Sequence, residues 1–161
     1  MVVLVCCKFE RCSKTLVSGD RYISNGKESP GVTWEPTFTQ HGFRYVEITG
    51  LEVPPTLDMI AAINVRSAVE QVGTISFSDS MANQVQHNIL WGQSTNLMMI
   101  PTDCDQRDER LGWTGDSALT SEEALYNFDL GAFYHNWAQM IDECSPNGAV
   151  GDTIPNGPGL L

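Results

Sequence analysis

Apolar and polar positions follow two different periods, and the change falls near residue 78. In the first half, residues 43–49 are rich in aromatic and β-branched side chains and end at Gly50, which predicts a strand. Residues 74–78 alternate and predict another strand. The apolar run 60–72 is interpreted as a further strand, with a helix over 56–63 left open as the alternative. The first half therefore reads as a sandwich-like β portion.

After Ser78 the period becomes helical. Apolar residues recur at every fourth position in Met81, Val85 and Ile89, which predicts a helix that begins at a cap in 78–80 and reaches about Leu97. A second helix is predicted from a capping box formed by Thr120 and Glu123. Its apolar face is broad, and it stops at Ser145-Pro146-Asn147-Gly148.

That apolar face covers a wider arc than one partner helix can bury. Phe128, Phe133 and Trp137 are therefore expected to stay partly uncovered, a patch that favours self-association and low solubility. The chain supplies only one other clear helix, so this apolar face is expected to lack neighbours.

The composition limits the classes of partner that the protein is expected to bind. The 161 residues carry a formal net charge of -11, which argues against nucleic acid and against anionic membrane surfaces. The apolar start of the chain is too short to span a bilayer or to form a signal-peptide core. Five cysteines occur without a pattern suited to zinc, so free thiols and no metal site are expected. A neutral substrate is compatible with this charge.

The segment 101–116, PTDCDQRDERLGWTGD, concentrates polar chemistry. Carboxylates and guanidinium groups bind hydroxyl groups, and an indole offers a flat apolar face, so the combination is typical of a sugar site. The segment holds five carboxylates, two guanidinium groups and one indole: Asp103, Asp105, Asp108, Glu109, Asp116, Arg107, Arg110 and Trp113.

Together with SEEALYNFDLGAFYHNWAQMIDE downstream and WEPTFTQHGFRYVEITG upstream, this segment resembles the α-L-rhamnosidases, glycoside hydrolases that join β-sandwich domains to an (α/α)6 barrel. The resemblance runs from about residue 20 to about residue 155, and it departs from the family where Asp105 replaces a proline. It implies the C-terminal part of a β-sandwich over 1–77, then the first helical hairpin of a truncated barrel over 78–161. Rhamnose-containing glycosides are the implied substrates, and no cofactor is implied.

Inverting glycosidases use one carboxylic acid to protonate the leaving oxygen and a second carboxylate, about 6.5 to 9.5 Å away, to activate water. The resemblance places the general acid at Glu109 and sugar contacts at Asp103, Asp116, Trp113 and Arg107. Neighbouring acids would favour the protonated form of Glu109 and the arginines its ionised form, and the sequence leaves that balance open. The family's general base comes from a later barrel helix, so the chain by itself is expected to be inactive.

Other interpretations stay open. Asp105 and Asp108 have a structural alternative as loop caps or salt-bridge partners, and Trp113 has one as a core aromatic. At the level of function, the alternatives are a non-catalytic carbohydrate-binding protein or pseudoenzyme, and another (α/α)6 glycosidase with different sugar specificity. Nothing in the sequence indicates where the protein resides.

Overall fold

The computed structural model describes residues 2–8, 18–27, 32–107 and 109–155, which form two compact units. The first unit contains the chain up to Ile63 together with Gln106 and Arg107. The second contains Asn64 to Asp105 and the chain from Glu109 onward. The domain boundary at residue 77, inferred from the change in period, stays a prediction.

The first unit is built on a three-stranded antiparallel sheet with the order β2-β1-β3. Its strands are β1 (Val2–Lys8), β2 (Ser18–Ile23) and β3 (Tyr45–Thr49). The strand predicted at 43–49 is confirmed as β3. A short 3-10 helix, Leu57–Met59, lies within the stretch where a helix was left open as the alternative.

The strands predicted at 60–72 and 74–78 are wrong. These residues belong to no sheet, and only Gln71 forms an isolated bridge, with Phe128. The backbone of the segment instead pairs with the turn between two helices: the Val72 and Gly73 N–H groups donate to the Asn127 carbonyl at 2.9 and 3.1 Å. A strand needs a neighbouring strand to bind its N–H and C=O groups, and here those groups are used elsewhere.

The second unit contains three helices, α1 (Ser80–Asn96), α2 (Thr114–Asn127) and α3 (Gly131–Cys144). The first predicted helix is confirmed as α1. Its N-cap is Asp79, whose Oδ1 accepts from the Met81 N–H at 2.8 Å. None of the helices among the described residues is long and apolar enough to cross a bilayer.

The single second helix predicted from Thr120 is wrong, because two helices occupy its place. Thr120 and Glu123 lie inside α2, where the Thr120 hydroxyl donates to the Asp116 carbonyl at 2.9 Å. The break follows Asn127, and the Asp129 N–H donates to the Glu70 carbonyl at 2.9 Å. The chain therefore exchanges helical hydrogen bonds for bonds to residues 70–73, an outcome that helix periodicity does not report. The predicted end at Ser145 is confirmed.

The core of the second unit lies around this break. Phe128 and Trp137 are only 3% and 5% exposed, so the prediction that they stay uncovered is wrong, while Phe133 is half-buried. The buried cluster comprises Leu97, Ala124, Phe128 and Leu130, with Val69, Leu90, Phe133 and Tyr134 packed against it. The large exposed apolar side chains of α2 are Leu119, Leu125 and Tyr126. Self-association through exposed barrel helices stays a prediction.

A polar network crosses the core beside the break. The Gln86 side-chain amide donates to Asn127 Oδ1 at 2.7 Å, and Asn127 Nδ2 donates to Glu123 Oε1 at 2.7 Å. Burial raises the pKa of Glu123 above its ordinary value of 4.5, and the bond from Asn127 opposes that shift. The pKa of Tyr134 is also raised, by burial first and then by the charge of Glu123. Glu123 is thus a partly buried acid on the inner side of α2.

The raised pKa predicts a pH-dependent contribution to stability. Folded protein binds the Glu123 proton more tightly than unfolded protein, so this stabilisation is complete below pH 4.5 and is lost as pH rises through the folded pKa. We expect Glu123→Gln to flatten the fall of the unfolding free energy as pH rises above 4.5 in urea titrations. Glu122→Gln, at the exposed neighbouring position, is the control. Equal slopes for wild type and Glu123→Gln would contradict the assignment.

Candidate active site

The acidic segment closes into a loop through Asp103 and Leu111. The Asp103 N–H donates to the Leu111 carbonyl at 3.1 Å, and the Leu111 N–H donates to Asp103 Oδ1 at 2.9 Å. Between them Arg110 has a left-handed backbone, with φ 51. A non-glycine residue in that region costs about 1 kcal/mol or more, and such strain concentrates at functional sites. One aspartate thus closes the loop through both its backbone and its side chain.

Glu109 is held by the residue at which the next helix starts. The Trp113 indole N–H donates to Glu109 Oε1 at 3.0 Å, and Trp113 is the N-cap of α2. Both side chains are half-buried. The indole therefore fixes one oxygen of the carboxylate, and Trp113 is neither a fully buried core aromatic nor a freely presented ring.

The side chains of Asp103, Glu109 and Cys104 lie close together. One carboxylate oxygen of each acid and the Cys104 Sγ all lie within 4.8 Å of one another. Cys104 forms no disulfide bond and is only 2% exposed. No role for this thiol was predictable from the sequence, where its position between Asp103 and Asp105 is the only signal. A cation held by these three atoms would occupy the Glu109 carboxylate itself.

The loop is packed tightly at Gly112. The Ile154 N–H donates to the Gly112 carbonyl at 2.9 Å. A Cβ atom added at Gly112 would lie 2.3 Å from the Ile154 carbonyl oxygen and 2.5 Å from Trp137 Cη2. Only glycine lets the backbone approach both, so this position fixes how the loop sits against α3.

The remaining predicted site residues are distributed differently. Asp116 is exposed in the first turn of α2, where a negative charge is favourable to the helix dipole. Asp105 is half-buried, and Arg107 groups with the first unit. Asp108 lies outside the described residues. The structure therefore brings Glu109, Asp103 and Trp113 together, and sugar contacts by Asp116 and Arg107 stay predictions.

Two family models match the chain. Residues 70–160 match the bacterial α-L-rhamnosidase six-hairpin glycosidase domain, and residues 10–66 match the bacterial α-L-rhamnosidase concanavalin-like domain. The first match alone covers more than half of the 161 residues. The expected fold class, a sandwich portion followed by the start of a six-hairpin barrel, is confirmed.

Curated relatives carry the same family name. An α-L-rhamnosidase from Formosa agariphila is 38% identical over 142 residues, which are 86% of this chain and 15% of that protein. An α-L-rhamnosidase from Streptomyces avermitilis is 34% identical over 143 residues, 88% of this chain and 14% of that protein. The chain thus spans about one seventh of the length of these relatives.

Solved structures agree. The α-L-rhamnosidase from Dictyoglumus thermophilum superposes with a TM-score of 0.86 at 42% identity, over 96% of this chain and 18% of that one. The Streptomyces avermitilis α-L-rhamnosidase complexed with L-rhamnose gives a TM-score of 0.91 at 29% identity, over 99% of this chain and 16% of that one. With the acidic loop, the two domain matches and these relatives in agreement, the chain belongs to the α-L-rhamnosidase family of glycosidases.

Proposed function

We propose that this chain supplies the general acid, and part of the sugar-binding surface, of an inverting enzyme that removes terminal α-L-rhamnose from glycosides. Glu109 is the acid, and Asp103, Asp116, Trp113 and Arg107 contact the sugar. The observation that carries the proposal is the 3.0 Å hydrogen bond from the Trp113 indole to Glu109 Oε1. It holds a half-buried carboxylate in one orientation within the loop that the family match includes.

The proposed reaction begins with a proton. As the bond between the anomeric carbon and the leaving oxygen breaks, Glu109 transfers its proton to that oxygen and becomes a carboxylate. The Trp113 N–H then donates to an ionised acceptor, and charge-assisted hydrogen bonds are stronger than neutral ones. The indole contact therefore favours the state that follows proton transfer, as a catalytic interaction should.

The second half of the reaction needs a carboxylate on the opposite face of the sugar to activate water. In the proposal this general base comes from another part of a barrel longer than this chain. Because general acid or base catalysis contributes about 10²- to 10⁴-fold, the acid without its partner is expected to give no useful turnover.

We expect the chain alone not to release L-rhamnose from an alkyl α-L-rhamnoside, whose leaving group needs a proton, above the background of Glu109→Gln. The measurement is the L-rhamnose released at enzyme concentrations high enough to detect slow turnover. Turnover that disappears in Glu109→Gln would show that some other carboxylate in this chain serves as the base, and would overturn the prediction of inactivity.

Two measurements on a longer protein that completes the barrel separate this proposal from a purely binding function: calorimetric titration with L-rhamnose and an assay of rhamnoside hydrolysis. Hydrolysis of rhamnosides supports the enzyme. Binding of L-rhamnose by such a protein without turnover supports the non-catalytic carbohydrate-binding protein, and turnover of another aryl glycoside in preference to the rhamnoside supports a barrel glycosidase of different specificity.

A further inference from the structure

Helix α2 starts without a capping side chain. The first N–H groups of a helix have no partner within it, and serine, threonine, aspartate or asparagine at the N-cap usually accepts from them. Here the N-cap is Trp113, whose side chain makes no capping hydrogen bond and has no oxygen with which to make one. The start of α2 therefore needs acceptors from elsewhere in the chain.

A strap, residues 151–154, supplies an acceptor for the first of these N–H groups. The Thr114 N–H donates to the Asp152 carbonyl at 2.9 Å, and the Thr114 hydroxyl lies 3.1 Å from the Gly151 carbonyl and 3.2 Å from the Asp152 carbonyl. Trp113 forms an antiparallel bridge with Thr153. Thr153 and Ile154 are 1% and 0% exposed, whereas Asp152 is exposed, so the strap is anchored in the second unit through its last two residues.

Because the strap provides an acceptor at the start of α2, the N-cap residue does not need a capping side chain and can be aromatic. With the strap capping the helix, the side chain at 113 is available to donate its indole N–H to Glu109, four residues earlier. We propose that Thr114 is a positioning residue for the general acid: by binding the strap, it fixes the start of α2 where the Trp113 indole meets the Glu109 carboxylate. The catalytic part of this inference rests on the proposed function, whereas the chain of contacts does not.

The test follows the Trp113 indole proton in the intact chain by NMR. Its signal is assigned by its loss in Trp113→Phe, which separates it from the other three tryptophans. Thr114→Val keeps the shape of the side chain but removes the hydroxyl, and we expect an upfield shift of the indole signal and about two- to tenfold faster exchange with water, the effect of losing one hydrogen bond. Thr114→Ser restores the hydroxyl and should return both quantities toward wild type.

The matched control is Thr120→Val. It makes the same substitution in the same helix and removes the bond to the Asp116 carbonyl, but it does not touch the strap. An unchanged indole signal in folded Thr114→Val, or an equal change in Thr120→Val, would overturn the positioning role. If Thr114→Val does not fold, as judged by circular dichroism, Thr114→Ala gives the same comparison with a better helix former.

Failure of this inference is distinguishable from failure of the proposed function. The indole measurement reports the contact between Trp113 and Glu109 whatever chemistry Glu109 performs. The role of Glu109 as an acid is tested separately, by the dependence of hydrolysis on the leaving group.

Discussion

In a protein that joins this chain to a complete six-hairpin barrel, Glu109→Gln is expected to lower the hydrolysis of alkyl α-L-rhamnosides by about 10²- to 10⁴-fold. Glutamine keeps the size of the side chain, and its amide oxygen can still accept from the Trp113 indole. It has no acidic proton to give to the leaving oxygen. The loss should therefore appear in kcat/KM with little change in the affinity for L-rhamnose.

The leaving group makes this test specific for a general acid. A nitrophenolate leaves without much protonation, whereas an alkoxide does not, so the activity lost in Glu109→Gln should be much smaller for a nitrophenyl rhamnoside than for an alkyl rhamnoside. Glu122→Gln, an exposed acid on α2, is the control and should hydrolyse both substrates like wild type. Equal losses for the two substrates would mean that Glu109 acts in binding or structure and not as the proton donor.

The second large effect is expected at Gly112. In Gly112→Ala the new Cβ would lie 2.3 Å from the Ile154 carbonyl oxygen and 2.5 Å from Trp137 Cη2. The carbonyl belongs to the strap and cannot turn away like a flexible side chain, because the Ile154 N–H is bound to Gly112 itself. We expect the unfolding free energy to fall by about 3 kcal/mol or more, at the upper end of the usual cost of overpacking.

Gly115→Ala is the matched control for this prediction. Gly115 lies three residues further, in the first turn of α2, and has no atom within 4 Å of an added Cβ. Alanine there is expected to be neutral or stabilising by about 0.5 to 1 kcal/mol, because glycine is a poor helix former. Urea unfolding followed by circular dichroism at the helix signal measures both variants. Equal midpoints for the two would show that the strap can move, and would remove the basis for its positioning role.

Several parts of the fold and of the site were predictable because the sequence patterns that indicate them are local in the chain. The cap at Asp79 and the recurrence of Met81, Val85 and Ile89 are short-range patterns, and α1 follows them. The acidic segment was identifiable from its composition alone, and its resemblance to the α-L-rhamnosidases needed no coordinates. The end of α3 at Cys144 follows from the turn residues after it.

Other parts depend on residues far apart in sequence. Helix α2 begins at Thr114 without a capping side chain, because the Asp152 carbonyl, 38 positions later in the sequence, accepts from the Thr114 N–H. The break after Asn127 arises because the backbone of residues 70–73 competes for its hydrogen bonds. The residue pattern of 60–72 predicts a strand, but the backbone of Glu70 and Val72 is hydrogen-bonded to the turn between α2 and α3.

The sequence by itself determined the family, the position of the proposed acid and the presence of two helical regions, since each depends on residue types within a few positions of one another. Only the tertiary structure decided that Trp113 holds Glu109, that Cys104 lies beside both acids, and that Phe128 and Trp137 are buried. The physical reason is that hydrogen-bond partners and burial are set by which distant segments meet, and a period of side chains along one segment carries no information about the other.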